Sequence, residues 1–116
     1  GSEATHQECG MMAETTLQYI RERYAEFFGF PGDGMGFERV LGVVDNAVNT
    51  ALSNDVGVIA RLMTLSDAER AVEAFTDFHR RYIPATVVNN LAEDLRWILQ
   101  KARETATILW LEEQRK

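Results

Sequence analysis

An all-α fold, an antiparallel bundle of three to four helices with the last one long and kinked at Pro84, is what this 116-residue sequence predicts. Three features predict it. Apolar residues recur three and four positions apart through most of the chain, the spacing that lines one face of an α-helix. The stretch 66–110 holds no glycine and a single proline, and it opens on Ser66-Asp67-Ala68-Glu69, whose serine and glutamate suit the reciprocal hydrogen bonds of a helix's first turn. Glycines gather instead in 29–36, where four of them and Pro31 occupy eight positions and no helix can continue.

Taken in order, Gly1-Ser2 reads as an expression remnant and Glu3 to Gly10 shows no apolar period. Residues 1–10 are therefore expected to form a disordered leader, and 11–116 a single helical domain. The first helix is expected over 13–28, or from Met11, with Leu17, Ile20, Tyr24 and Phe27 on one face and Gln18, Arg21, Glu22 and Glu26 on the rest. The linker 29–36 lacks the lysine and the Ser/Thr that a phosphate-cradling loop places after its glycines, and no strand pattern precedes it. It reads as a helix-helix connection in which Phe30 and Met35 pack on a helix or touch a partner.

A second helix is expected over 37–63, striped by Phe37, Val40, Leu41, Val44, Val48, Leu52, Val56, Ile59 and Met63. Gly42 and Gly57 inside it, each costing about 1 kcal/mol relative to alanine, mark close helix approach or a local break. Ser53-Asn54-Asp55 before Val56-Gly57 is its weakest point, and a break there makes two shorter helices. Asp45, Asn46 and Asn49 have no second carboxylate one turn away, so they read as a solvated face rather than a cation site.

Thr64-Leu65-Ser66 is read as the link into the third helix. Its stripe is Ala68, Val72, Phe75, His79 and Tyr82, then Val87, Leu91, Leu95, Ile98, Ala102, Thr105 and Leu109, with Pro84 bending the axis near Tyr82-Ile83. Asp77 and Arg81 make a favourable i,i+4 pair on its solvent side. Trp97 and Trp110 fall on different sides of the cylinder at 3.6 residues per turn. Such a stripe is wider than a two-helix hairpin covers, which predicts self-association.

Composition excludes several classes. Twelve basic against eighteen acidic residues leave a net charge of −6, which lacks the positive field that phosphate backbones attract, so no nucleic-acid partner is expected. No apolar run approaches the roughly 18 residues of a membrane span. A lone cysteine, Cys9, makes no internal disulfide, and no apolar leader segment precedes it, which together indicate the cytoplasm. There is no H-E-x-x-H, no cysteine pair and no serine in a glycine elbow, so no catalytic, cofactor-binding or metal-binding residue is assigned. Glu93-Asp94 and Glu112-Glu113 are sequence neighbours, about 100° apart on a helix, and do not face one another as an acid/base pair. Cys9 reads as an incidental thiol, His6 as part of the leader and His79 as a core or interface histidine. His79-Arg80-Arg81 with Arg39, Arg61 and Arg96, diluted by Glu73, Asp77, Glu93 and Asp94, reads as a mixed-charge surface.

The function expected from these features is that of a non-catalytic binding protein, a dimer or higher oligomer, whose amphipathic helix faces engage a copy of itself, a partner protein or a hydrophobic surface. Tyr24, Phe75, His79, Tyr82, Trp97 and Trp110 are the candidate contact residues. One alternative is a small-molecule binder or small enzyme with Tyr24, Phe75, His79, Tyr82 and Trp97 lining a pocket between helices. Another is an acidic inhibitor or immunity-type protein whose surface mimics an anionic ligand.

Val58-Ile59-Ala60-Arg61-Leu62-Met63, the link Thr64-Leu65-Ser66 and the run from Asp67 to Phe78, which ends in Thr76-Asp77-Phe78, resemble the phasins over about 37–106. These are small helical proteins that coat bacterial polyester granules. The resemblance implies an oligomeric, non-catalytic protein on a hydrophobic polymer surface, in company with polymer-metabolising enzymes.

Overall fold

The computed structural model describes residues 2–28, 34–53 and 55–115. Among them are four helices and no strand: α1 Ser2–Phe28, α2 Gly34–Ala51, α3 Val58–His79 and α4 Ala85–Gln114. Each packs on the next, and α4 closes the circuit against α1, giving an up-down-up-down bundle 51 × 23 × 21 Å in extent. The antiparallel sense follows from cross-seam contacts. Arg21 of α1 reaches Glu38 of α2, Tyr24 of α1 reaches Asp94 of α4, and Arg103 of α4 reaches Glu69 of α3.

Helix α1 buries Leu17, Ile20, Tyr24 and Phe28, a three-four-four spacing that selects Phe28 over the expected Phe27, which stays half-buried at the edge of the core. Its backbone is helical back to Ser2, two turns or more upstream of where apolar periodicity begins. The expected linker lies partly outside the described residues, since 29–33, Phe30 included, are not among them, and α2 already starts at Gly34. Phe37, Val40, Leu41, Val44, Val48 and Leu52 are all buried, as their spacing dictates. Gly42 is exposed, and a Cβ there would meet nothing within 4 Å, so it marks no close approach. Asp45, Asn46 and Asn49 are exposed, which is the solvated face.

The expected helix 37–63 is two helices. The chain leaves α2 with the Ser53 amide donating to the Thr50 carbonyl at 3.2 Å, a tightened final turn, and the Ser53 hydroxyl then accepts from the Asp55 amide at 3.2 Å. Gly57, with φ −66° and ψ 159°, caps α3. This interruption resets the helical phase. The α2 stripe does not continue into Ile59 and Met63, which are 71% and 61% exposed, and the buried stripe of α3 is Arg61, Leu65, Ala68, Val72, Thr76 and His79. Thr64-Leu65-Ser66 is consequently no link, and Ser66 no cap, because both lie within the unbroken α3.

Pro84 does more than kink an axis. α3 ends at His79, whose carbonyl accepts from the amides of Tyr82 (3.0 Å) and Ile83 (2.9 Å), and Pro84 then stands as the N-cap of α4. A proline has no amide to donate and pushes the preceding residue out of the helical region, so it suits a helix start as well as it disrupts a helix middle. The chain reverses, Ile83 tucks into the core, and Arg80 ties the turn by donating to Asn89 Oδ1 and pairing with Asp77, rather than the Asp77–Arg81 pair expected. The apolar ribbon of 66–110 thus folds back on itself. Val72, Val88, Leu91, Leu95, Ile98 and Leu99 are nearly or fully sheltered within one chain.

Candidate functional site

At the end of the bundle where α1 stops and α2 starts, Phe28, Phe37, Phe75 and His79 gather. Phe28 stacks on Phe37 at 5.1 Å, meets the His79 ring edge-on at 5.3 Å and tilts against Phe75 at 5.4 Å, while Phe75 and His79 lie 4.0 Å apart. His79 Nδ1 is 2.7 Å from the Phe75 carbonyl, and a carbonyl only accepts, so that nitrogen carries the hydrogen. His79 is 3% exposed among these rings and acts as a packing residue. Outward, Phe78 touches the His79 ring edge, and Tyr82 lies against Phe78 at 5.5 Å, both well exposed.

The other candidates lie elsewhere. Tyr24 is buried at the α1–α4 seam, where its hydroxyl donates to Asp94 at 2.9 Å. Arg23, 4.0 Å from the same carboxylate, passes over the Tyr24 ring. Burial, and then the Asp94 hydrogen bond, push the Tyr24 phenol up to about 12. Trp97 is exposed on α4 with the Lys101 ammonium over its ring at 5.9 Å, and it lines a shallow groove of about 600 Å³ with Glu69, Glu73, Glu93, Arg96 and Gln100. Trp110 is half-buried near the end of α4. The pocket drawn from Tyr24, Phe75, His79, Tyr82 and Trp97 is therefore not assembled, and of these five rings Phe75 and His79 are the pair that stack together. Two local facts separate the rest. The turn after His79 throws Tyr82 outward, and Trp97 lies between the inward Leu95 and Ile98, about 100° from Ile98 on the wheel.

The basic residues of His79-Arg80-Arg81, Arg39, Arg61 and Arg96 do not share one surface. Arg61 is 1% exposed and His79 is buried, while Arg39, Arg81 and Arg96 are exposed on different elements. Arg61 Nη2 donates to the Ser53 carbonyl at 2.5 Å and stands 3.8 Å from Glu113 Oε1, beyond hydrogen-bond reach. Its Nε and Nη1 are shut off from solvent without a hydrogen-bond partner. A guanidinium held this way costs several kcal/mol unless its remaining N–H groups are met. Among the described residues no three His, Cys, Asp or Glu side chains cluster as metal ligands do, and no helix is long and apolar enough to cross a membrane. The side chains of His6 and Cys9 lie outside the described residues.

The Arg61–Glu113 approach also sets the first turns of α3 beside the last turns of α4. At that end Ile59, Leu62 and Met63 of α3 and Ile108 and Leu111 of α4 are all exposed, between 37% and 71%. Sequence periodicity had assigned Ile59 and Met63 to a buried stripe, and the polar run Ser53-Asn54-Asp55 was the signal that the stripe would lose phase before reaching them. Comparison with known proteins finds no matching family model, no matching curated protein and no matching solved structure.

Proposed function

We propose that this chain is a non-catalytic helical interaction protein that self-associates through the end of the bundle built from the start of α3 and the end of α4. One observation carries the reading. Five large apolar side chains, Ile59, Leu62, Met63, Ile108 and Leu111, stay exposed at one end while the core beside them is sealed, with Leu65 and Ala102 fully buried. Clustered exposed apolar surface is what association or adsorption removes from water. The breadth of the 66–110 ribbon does not carry the reading, because most of its stripe is buried within one chain. The same end would lie on a hydrophobic surface of the kind to which the phasin resemblance points, with self-association as the soluble counterpart.

The test is light scattering across a hundredfold concentration range on the wild type and on an Ile59→Asp, Met63→Asp double variant. The expected result is a concentration-dependent dimer or larger species that the variant loses while its helical circular dichroism stays unchanged. A wild type that stays monomeric throughout, and that leaves hydrophobic polymer beads uncoated, would rule the reading out.

A further inference from the structure

Where the α2–α3 turn meets the last turn of α4, donors among the described residues are left unmet. Arg61 points back from the first turn of α3 to this turn, where Nη2 takes the Ser53 carbonyl and Nε and Nη1 are left buried and unpartnered. The N-terminus of α3 adds to them. Gly57 offers no side chain to accept from the first-turn amides, and that turn carries no acidic residue. The Arg61 amide is satisfied by the Gly57 carbonyl at 3.1 Å, which leaves the amides ahead of it without an intrahelical acceptor. Two carboxylates lie nearby. Asp55 is exposed in the turn and makes no ion pair with Arg61, and Glu113, with 48% of its side chain exposed, stops at 3.8 Å. A buried cation and the positive end of a 22-residue helix therefore share one corner in which, among the described residues, only the loosely held Glu113 carboxylate approaches Arg61.

We propose that this corner is an anion site, in which a small oxyanion displaces the Glu113 carboxylate from its place beside Arg61 Nη2 and accepts through one edge of the guanidinium, from Nη2 together with either Nε or Nη1. The α3 N-terminus favours the same charge. A guanidinium binds carboxylate and phosphate oxygens through the same charge-assisted hydrogen bonds, so both are taken as probes. Binding does not depend on the apolar end mediating self-association.

Calorimetric titration and thermal melts with sodium phosphate and, separately, sodium acetate, at ionic strength held constant with sodium chloride, test it. The expected result is saturable binding of at least one probe with a rise in melting midpoint, the better probe naming the source. Glu113→Gln, at an exposed side chain, removes the competing carboxylate and should tighten binding about tenfold, a difference of about 1.4 kcal/mol. Arg61→Lys should weaken it by at least as much, and Arg61→Met should abolish it. Should Arg61→Met not fold, the opposite shifts of Glu113→Gln and Arg61→Lys decide. Absence of saturable binding to the wild type overturns the proposal. Affinity unchanged in Glu113→Gln and Arg61→Lys means an adventitious ion only and overturns it equally.

Discussion

Tyr24 of α1 and Asp94 of α4, seventy positions apart in the chain, meet in a 2.9 Å hydrogen bond that fixes the α1–α4 seam. The carboxylate accepts from the phenol, so the seam depends on the neutral form of the tyrosine. Burial and this bond raise its pKa from the ordinary 10.0 to about 12, which means that the folded state holds the proton more tightly than the unfolded chain does. The contribution is complete below pH 10 and is lost as pH rises from 10 toward 12. Tyr24→Phe should cost about 0.5–1.5 kcal/mol at pH 7 and flatten the decline above pH 10. Urea unfolding of both proteins at pH 7, 9, 10.5 and 11 measures the difference. Curves that stay parallel above pH 10 would show that Tyr24 carries no such linkage.

His79 separates a packing role from a ligand role. Its ring packs against Phe28, Phe75 and Phe78 and is 3% exposed. His79→Ala is expected to destabilise by about 2–4 kcal/mol, the range for emptying a packed core position. Tyr82→Ala, three residues on but 66% exposed, should stay within about 0.5 kcal/mol of wild type. Equal midpoints for the two variants in denaturant unfolding would contradict this placement.

Ser66 tests where α3 begins. As a helix cap it would cost about 1 kcal/mol on replacement by alanine. Within the continuous α3 the same change should be neutral, or stabilising by a few tenths of a kcal/mol, because alanine has the higher helix propensity. Thermal unfolding of Ser66→Ala resolves the two, and a clear loss of stability would place the helix start at Ser66.

The helical class and two of the core faces were legible in the residues themselves. The inward positions of α2 and the turn that follows it, from Phe37 to Leu52, and of α4, from Leu91 to Leu109, follow the three-four spacing with few exceptions, because long amphipathic periods leave a helix one way to face its core. Less legible was α3. Its buried stripe includes an arginine, a threonine and a histidine, so hydrophobicity marks it weakly, and the better-looking apolar residues Ile59 and Met63 point to solvent.

By itself, then, the sequence determined that the chain is helical, where the chain is weakest as a helix, and which residues of α2 and α4 turn inward. Only the tertiary structure decided that Pro84 ends one helix and begins another, that Ser66 lies mid-helix, and that Arg61 is buried beside Ser53 and Glu113. The reason is one of range. Periodicity and capping act over a few residues, whereas the outcome at a break depends on what the two flanking faces gain by folding back on each other. That gain, the apolar area shared by α3 and α4 set against the modest entropy of closing a short turn, involves residues far apart in the chain.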